Sequence, residues 1–423
     1  MRYCTTDTYD TKRGILNFCE KITKSTGKVE KKFVSDMIYG MASSGSVHIS
    51  NIADSLKEST KKINTIERLC LNLEKPLSSE IKQTYLSEAM KELDENPVIL
   101  VDDSDVAKPQ GKAFEDLCLV RDGSSDGEKL VKGYHVTEVV GLTKKTKQPI
   151  SLYSSIYSNT SEGFKSTNSV TFNALDEVIK QLGDKRATFV MDRGYDQNDM
   201  FNYMNKNEQD YIIRVKNNRN FYLNSKKSVT KAFKIGATRK GKFKEELWFQ
   251  KEKRTVYVSH VNCRITASRK KVTLVIVHGL SEDEPMFLVT NKQLKSKSDV
   301  IKVLRTYMSR WRVEEYFRFK KQHFGFEDFR VRHLESINNL NTLLSFLIGF
   351  FGRLIEKKET KILTQRLLKA ANPLKQDVLF YYYQLAKGIC KTLALARTGI
   401  GDWFKNKIKF IEHDQLSLFD LAA

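Results

Sequence analysis

The sequence predicts an α/β protein with helical regions at both ends, and three observations carry that expectation. Between about residues 96 and 355, short apolar runs ending in acidic residues alternate with stretches of helical spacing. The first 95 residues and the tail beyond 355 show helical patterning alone. A strongly cationic, β-rich stretch interrupts the α/β order between about 211 and 291. These pattern changes divide the 423 residues at 1–95, 96–210, 211–291, 292–355 and 356–423, a length that suits two to four domains at roughly 100–200 residues each.

Within the first region, Ile49 to Lys57 and a second stretch carrying Ile63, Ile66 and Leu69 at helical spacing read as two short amphipathic helices, with Ser59 or Thr60 as the cap of the second. That pair suits either a helix-turn-helix-like DNA reader or an ordinary small helical bundle. Next, Pro97 to Val101 is a short strand running into Asp102 and Asp103, and Lys132 to Leu142 and Pro149 to Ser158 complete a three-stranded meander. Phe172, Leu175, Val178, Ile179 and Leu182 share a helical face that Gly183 stops, and Ala187 to Met191 is a fourth strand ending at Asp192. Arg214 to Lys216, Leu247 to Val261 and Val272 to Val277 are strand candidates. One long helix is expected from Ser298 to about Phe324, capped by Ser298 or Asp299 and ended by Gly325. Leu340 to Ile355 reads as a buried helix, too short to span a bilayer that needs about 20 apolar residues, and Gln376 to Arg397 is helical again.

Composition narrows the partners. The formal charge is +21, which favours a polyanion, nucleic acid before acidic lipid. The excess is local: residues 214–271 hold 18 Lys or Arg against Glu245, Glu246 and Glu252, so 58 residues carry +15. Lys240, Lys242 and Arg254 lie among Phe221, Tyr222, Phe233, Phe243, Trp248, Phe249 and Tyr257, a mixture suited to gripping phosphates and packing on sugars or bases. Six scattered cysteines without a C-x2-C pair encode neither a disulfide framework nor a zinc site. The polar N-terminal stretch gives no sign of a signal peptide, so a cytoplasmic, DNA-associated protein is expected. No phosphate-binding loop, dinucleotide glycine pattern or nucleophile elbow occurs.

Three acids stand where metal-dependent phosphoryl transfer would need them: Asp103 after the first strand, Asp192 at the end of the fourth, and Glu314 inside the long helix. Phosphodiester chemistry uses two hard cations about 3.5–4 Å apart, held by carboxylates. On one continuous helix, Tyr307, Arg310, Glu314 and Lys321 fall at about 0°, −60°, −20° and −40°, a single polar stripe. Asp102 or Asp105 could stand in for Asp103, whereas Glu315 lies off the stripe.

The run from Tyr307 through Arg310 and Glu314 to Lys321 matches the Y-x2-R-x3-E-x6-K signature and resembles the DDE transposases of bacterial insertion sequences, the insertion sequence 4 group. Ile99 to Asp105 resembles the first acidic motif of that family, and Val190 to Tyr195, with Asp192-Arg193-Gly194-Tyr195, resembles its second. The resemblance covers about residues 96–355. It implies a ribonuclease H-like core interrupted by the basic β-rich insertion, with Asp103, Asp192 and Glu314 binding two Mg²⁺ ions, for which Mn²⁺ could substitute. Arg310 and Lys321 would clamp phosphates and Tyr307 would hydrogen-bond one. It further implies double-stranded DNA as partner at transposon ends and target, end binding by the N-terminal region, a homodimer on DNA, and no membrane. Hairpin-forming members place an aromatic in the strand before the helix, where Met286 stands here. The expected activity is cleavage at the terminal inverted repeats followed by strand transfer. The alternatives are a ribonuclease H-like nuclease that cuts without joining and a non-catalytic basic DNA-binding repressor.

Overall fold

The computed structural model describes residues 3–121, 129–223, 229–249, 252–266, 268–281, 284–371 and 378–405. Lys226, Lys227 and Lys251 of the basic stretch, and Gln376 at the start of the last predicted helix, lie outside the described residues. The chain opens with helices α1 (Tyr3–Ile22), α2 (Lys28–Ser44), α3 (Ile49–Leu56), α4 (Lys62–Leu73) and α5 (Ser79–Met90). Strands β1 (Val98–Ala107), β2 (Cys118–Arg121), β3 (Leu130–Leu142) and β4 (Pro149–Tyr157) precede α6 (Thr167–Leu182), β5 (Thr188–Met191), α7 (Asn198–Lys206) and β6 (Asp210–Val215). Then come β7 (Asn220–Leu223), β8 (Val229–Lys231), α8 (Ala232–Ala237), β9 (Phe243–Phe249), β10 (Glu252–Ile265), β11 (Lys271–His278) and β12 (Met286–Thr290). Helices α9 (Lys297–Met308), α10 (Trp311–Phe324), α11 (Leu334–Glu356), α12 (Lys361–Ala370), α13 (Tyr382–Ala394) and α14 (Gly401–Lys405) complete it. Two compact units result, residues 1–85 with 323–423, and residues 86–322.

The first unit is helical because its apolar residues recur at helical spacing and need a common core. Helix α11 supplies the centre: Leu340, Leu343, Leu344, Leu347 and Ile348 are fully enclosed. Tyr85 stacks on Phe346 at 4.1 Å between ring centroids, and Gly349 permits that approach, since a Cβ there would lie 2.2 Å from the Tyr85 hydroxyl. The two short helices expected near residues 49–73 form as α3 and α4, but Lys61 rather than Ser59 or Thr60 caps the second. The neighbouring side chains are engaged elsewhere, Thr60 with Thr65 at 3.3 Å and Glu58 with Thr65 at 2.8 Å. Arg68 pins α4 by donating to Asp36 at 2.7 Å and to Glu58 at 3.0 Å. Among the described residues no helix is long and apolar enough to cross a membrane.

The second unit is built on one mixed sheet in the order β2-β3-β1-β5-β6-β12-β11-β10-β7-β8, with β4 on β3 and β9 on β10. Strands β1, β5 and β6 run parallel, while β3 is antiparallel to β1 and β4 is antiparallel to β3. Their near-continuous apolar stretches, such as Ile99-Leu100-Val101 and Phe189-Val190-Met191, are enclosed on both faces, as a parallel centre requires. The expected meander forms as β1, β3 and β4, with β1 running past Asp103 to Ala107 because β3 pairs with it as far as Gly133. Helix α6 begins at the Ser166 capping box and ends at Gly183. The predicted strand from Leu247 to Val261 divides between β9 and β10, which pair antiparallel with Trp248 opposite Lys253.

Candidate active site

Strand β1 sets the site by parity, since successive residues of a pleated strand point to opposite faces. Register with β3 puts Asp102 opposite Glu138, Asp103 opposite Thr137 and Asp105 opposite His135. Asp103 therefore accepts from the Thr137 hydroxyl at 2.7 Å, and Asp105 meets His135 Nδ1 at 2.8 Å. Asp102 faces the other way, where Arg310 reaches it at 3.0 Å. The parallel register of β1 and β5 pairs Val101 with Met191, so the next residues lie side by side, Asp102 midway along β1 and Asp192 just past the end of β5. Asp192 caps a short 3-10 turn by accepting from the Gly194 N–H at 2.7 Å. A Cβ on Gly194 would stand 3.0 Å from that same oxygen, so a larger residue there would press on the Asp192 carboxylate.

The long helix expected over 298–324 is instead two. Helix α9 starts at the Ser296 capping box with Asp299, not at Ser298 or Asp299, because the Ser296 hydroxyl reaches the Asp299 N–H at 3.1 Å. It stops at Met308, where the Ser309 hydroxyl bonds back to the Thr306 carbonyl at 2.6 Å, and α10 begins at Trp311. A single wheel through Tyr307 and Lys321 therefore does not apply. Gly325 ends α10 in the left-handed conformation as expected, at φ 63°.

Arg310 occupies the bend and ties the acids together. One amino group holds Asp102 and the other holds Glu314, which is 49% exposed. Burial first, then the like charges of Asp192, Glu314 and Asp103, push the Asp102 carboxyl up to about 7 against the pull of Arg310. Asp103 keeps open surface, yet the protein packed around it also raises its carboxyl, with Thr137 and Tyr195 pulling the other way. The buried Tyr195 hydroxyl interacts with Asp103 without closing a hydrogen bond of ordinary geometry; burial, then Asp103 and Asp102, push it well above the usual phenol range. Tyr307 is buried beside Arg310, and that burial raises its hydroxyl. Lys321 donates to the Asp105 carbonyl at 2.6 Å.

A second ion pair, absent from the sequence reading, lies directly across the β1–β3 ladder from Asp102. Glu138 and Lys320 meet at 3.1 Å with side chains 0% and 2% exposed. Ser151 donates to one Glu138 oxygen at 2.5 Å and Ser154 to the other at 2.7 Å. Two serines three residues apart would face opposite ways in a regular strand; a bulge between Val139 and Val140 brings both to Glu138. The signal was available in the sequence, because Lys320 continues the buried stripe of Val313 and Tyr316, and Glu138 sits between the inward Val136 and Val140.

The residues of the basic stretch scatter. Lys240 and Lys242 are exposed, while the Arg254 guanidinium is engaged by the Leu280 carbonyl at 2.8 Å and by Glu252 at 3.4 Å. Of the interleaved aromatics, Phe233, Trp248 and Tyr257 are exposed, whereas Phe221 belongs to the core. Met286 lies in β12 at 9% exposure.

The donor set at Asp102, Asp192 and Glu314 is wholly carboxylate, the chemistry a hard divalent cation takes. Burial is the main cause of the raised Asp102 carboxyl, and Asp192, Glu314 and Asp103 add like-charge repulsion that such a cation would relieve. Among the described residues no three His, Cys, Asp or Glu side chains close a coordination sphere as they lie, and Arg310 stands between Asp102 and Glu314.

Comparison with known proteins gives one family. No curated protein matches the chain. A solved structure of the piggyBac transposase synaptic complex with hairpin DNA is similar at a TM-score of 0.42, with 10% identity over 97% of this chain and 85% of that one. The model of the transposase DDE domain matches residues 94–348, a family whose members generally use divalent metal ions. With more than half of its length matched, this chain belongs to the DDE-domain transposases, enzymes that cleave DNA by phosphoryl transfer.

Proposed function

We propose that the chain is the transposase of a bacterial insertion sequence of the insertion sequence 4 group, cutting at the terminal inverted repeats and joining the freed end to target DNA. The observation that carries this is Arg310 of the Y-x2-R-x3-E-x6-K run bridging Asp102 and Glu314, beside Asp192 on the neighbouring parallel strand. The strand order β4-β3-β1-β5-β6, with only β3 running against the common direction, supports a ribonuclease H-like core.

In this reading Asp102, rather than Asp103, joins Asp192 and Glu314 in binding two Mg²⁺ ions, with Mn²⁺ as a substitute. Such ions would neutralise charge on the attacking and leaving oxygens. Asp103 remains a neighbour fixed by Thr137. Arg310 forks onto phosphate oxygens once released from the carboxylates, Lys321 adds a point charge, and the Tyr307 hydroxyl bonds a phosphate. Water attacks the phosphodiester at the element's end in line, and the 3′-hydroxyl so exposed attacks the opposite strand or the target, with no covalent enzyme intermediate. Lys240 and Lys242 contact DNA from the basic insertion, α3 and α4 belong to the end-binding region, and two copies act together on paired ends. Incubation with Mg²⁺, labelled terminal repeats and a target plasmid tests this: cleavage with joining is expected. Cleavage alone would make the protein a structure-specific nuclease, and binding alone a repressor.

A further inference from the structure

A groove of about 920 Å³ lies between β9, the β3–β4 turn and the outer flank of α9. It is distinct from the carboxylate cluster: its wall includes Val98 at the start of β1, four residues and about 13 Å of strand before Asp102. At about 100° per residue, Lys297, Ser298, Ile301, Lys302 and Arg305 fall on one half of α9, and the enclosed Val300, Val303, Leu304 and Tyr307 on the other. Of the groove-facing residues, Ile301 is buried, while Lys297, Ser298, Lys302 and Arg305 are exposed.

Its lining combines charge with an aromatic plane. Lys147, Lys297, Lys302, Arg305 and Arg312 line it with one acid, Glu245; Arg305 pairs with that acid, and Lys147 pairs with Asp94 at 2.7 Å. Neither Lys297 nor Lys302 has an ion pair to any described residue, and both are exposed. Trp248 projects at 71% exposure from β9, where the neighbouring exposed positions of the strand are Lys244 and Glu246. An indole left open to water beside spare cations suits a ligand with both a flat apolar face and negative charge. Duplex DNA keeps its base faces stacked, so only an unpaired strand offers both at once. At its other end the groove reaches Trp311 and Arg312, immediately after Arg310, so a strand lying in it leads toward the carboxylates.

We propose that this groove holds an unpaired DNA strand, one base stacked on Trp248 and its phosphates on Lys297 and Lys302; this rests on the transposase reading for its choice of polyanion. The test is fluorescence anisotropy with the full chain and labelled oligothymidylate, random-sequence duplex or inorganic polyphosphate as probes. Trp248→Ala should weaken oligothymidylate binding at least about fivefold, and Trp248→Phe should restore it to within about twofold, since stacking needs a ring rather than an indole. Lys302→Ala, an independent variant, should lower the salt slope for oligothymidylate by about 0.7. An unchanged affinity in Trp248→Ala overturns the proposal, as does an equal loss on duplex or on polyphosphate. Wild-type protein that cuts element ends while binding oligothymidylate indifferently to Trp248 sinks the groove alone. Trp248-dependent binding without end cleavage supports the groove and sinks the transposase reading.

Discussion

Asp102 and Glu138 sit opposite each other on adjacent strands, and each meets a cation from the α9–α10 segment, yet the two pairs are built for different ends. Glu138 is sealed: both oxygens accept from serines, Lys320 closes over it, and neither side chain sees solvent. Asp102 is crowded by three further acids and restrained by one arginine that it shares with Glu314. A satisfied buried pair resists change, because removing one partner strands a charge. An over-supplied acidic cluster invites it, because any added cation relieves repulsion. Under the proposed function, the difference gives anchoring to one pair and reactivity to the other.

The largest effect should come from emptying the reactive side. Asp102→Asn, Asp192→Asn or Glu314→Gln should each lower end cleavage at least about a thousandfold, several kcal/mol of barrier, while Asp103→Asn should lose far less. Equal losses at Asp102 and Asp103, measured on labelled repeats, would erase the distinction drawn from strand parity. Breaking the sealed side comes next. Lys320→Met should destabilise the fold by about 3–5 kcal/mol in denaturant titration, and adding Glu138→Leu should recover most of it, as replacing both partners usually does.

A smaller effect separates the pairs by pH. The Asp102 carboxyl titrates near 7 when folded, against about 3.9 for a free carboxylate, so the folded state holds the extra proton between those values. The stability this contributes is present below about pH 4 and is lost as pH rises through 7. Without divalent ions, Asp102→Asn should lose up to about 4 kcal/mol less than wild type across that window, and exceed it at pH 8, in thermal or chemical unfolding; the raised Asp103 carboxyl titrates in both. Mg²⁺ should reverse the order at pH 8 by stabilising only the wild type. Gly194→Ala, which presses on an Asp192 oxygen across 3.0 Å, should cost cleavage about tenfold, or 1.4 kcal/mol, with the melting temperature little changed. Least of all, Lys242→Ala should merely reduce the salt slope of duplex binding by about 0.9.

Much of this was legible because local rules operated without competition. Gly183 and Gly325 ended helices where glycine was expected, and apolar runs leading to Asp102 and Asp192 became the central parallel strands. The choice between Asp102 and Asp103 was not, because adjacent acids after a strand differ only in which face they take, and that is fixed by pairing with β3. The break at Ser309 escaped because no proline or glycine marks it; a serine hydroxyl bonding backward does. The inward placement of Glu138 and of Lys320 was legible within each element, but their pairing is a tertiary match between residues 182 positions apart, which no local pattern encodes.

The interruption between α9 and α10 has a mechanical consequence. Arg310 sits on a two-residue turn whose backbone is hydrogen-bonded to both helices, to Tyr307 on one side and to Val313 on the other, with an anchored bar on each side: α9 by its packing on the sheet and α10 by Lys320. In the proposed function its guanidinium would turn from acid to phosphate by rotation along its own stem, with neither bar sliding as the site is loaded.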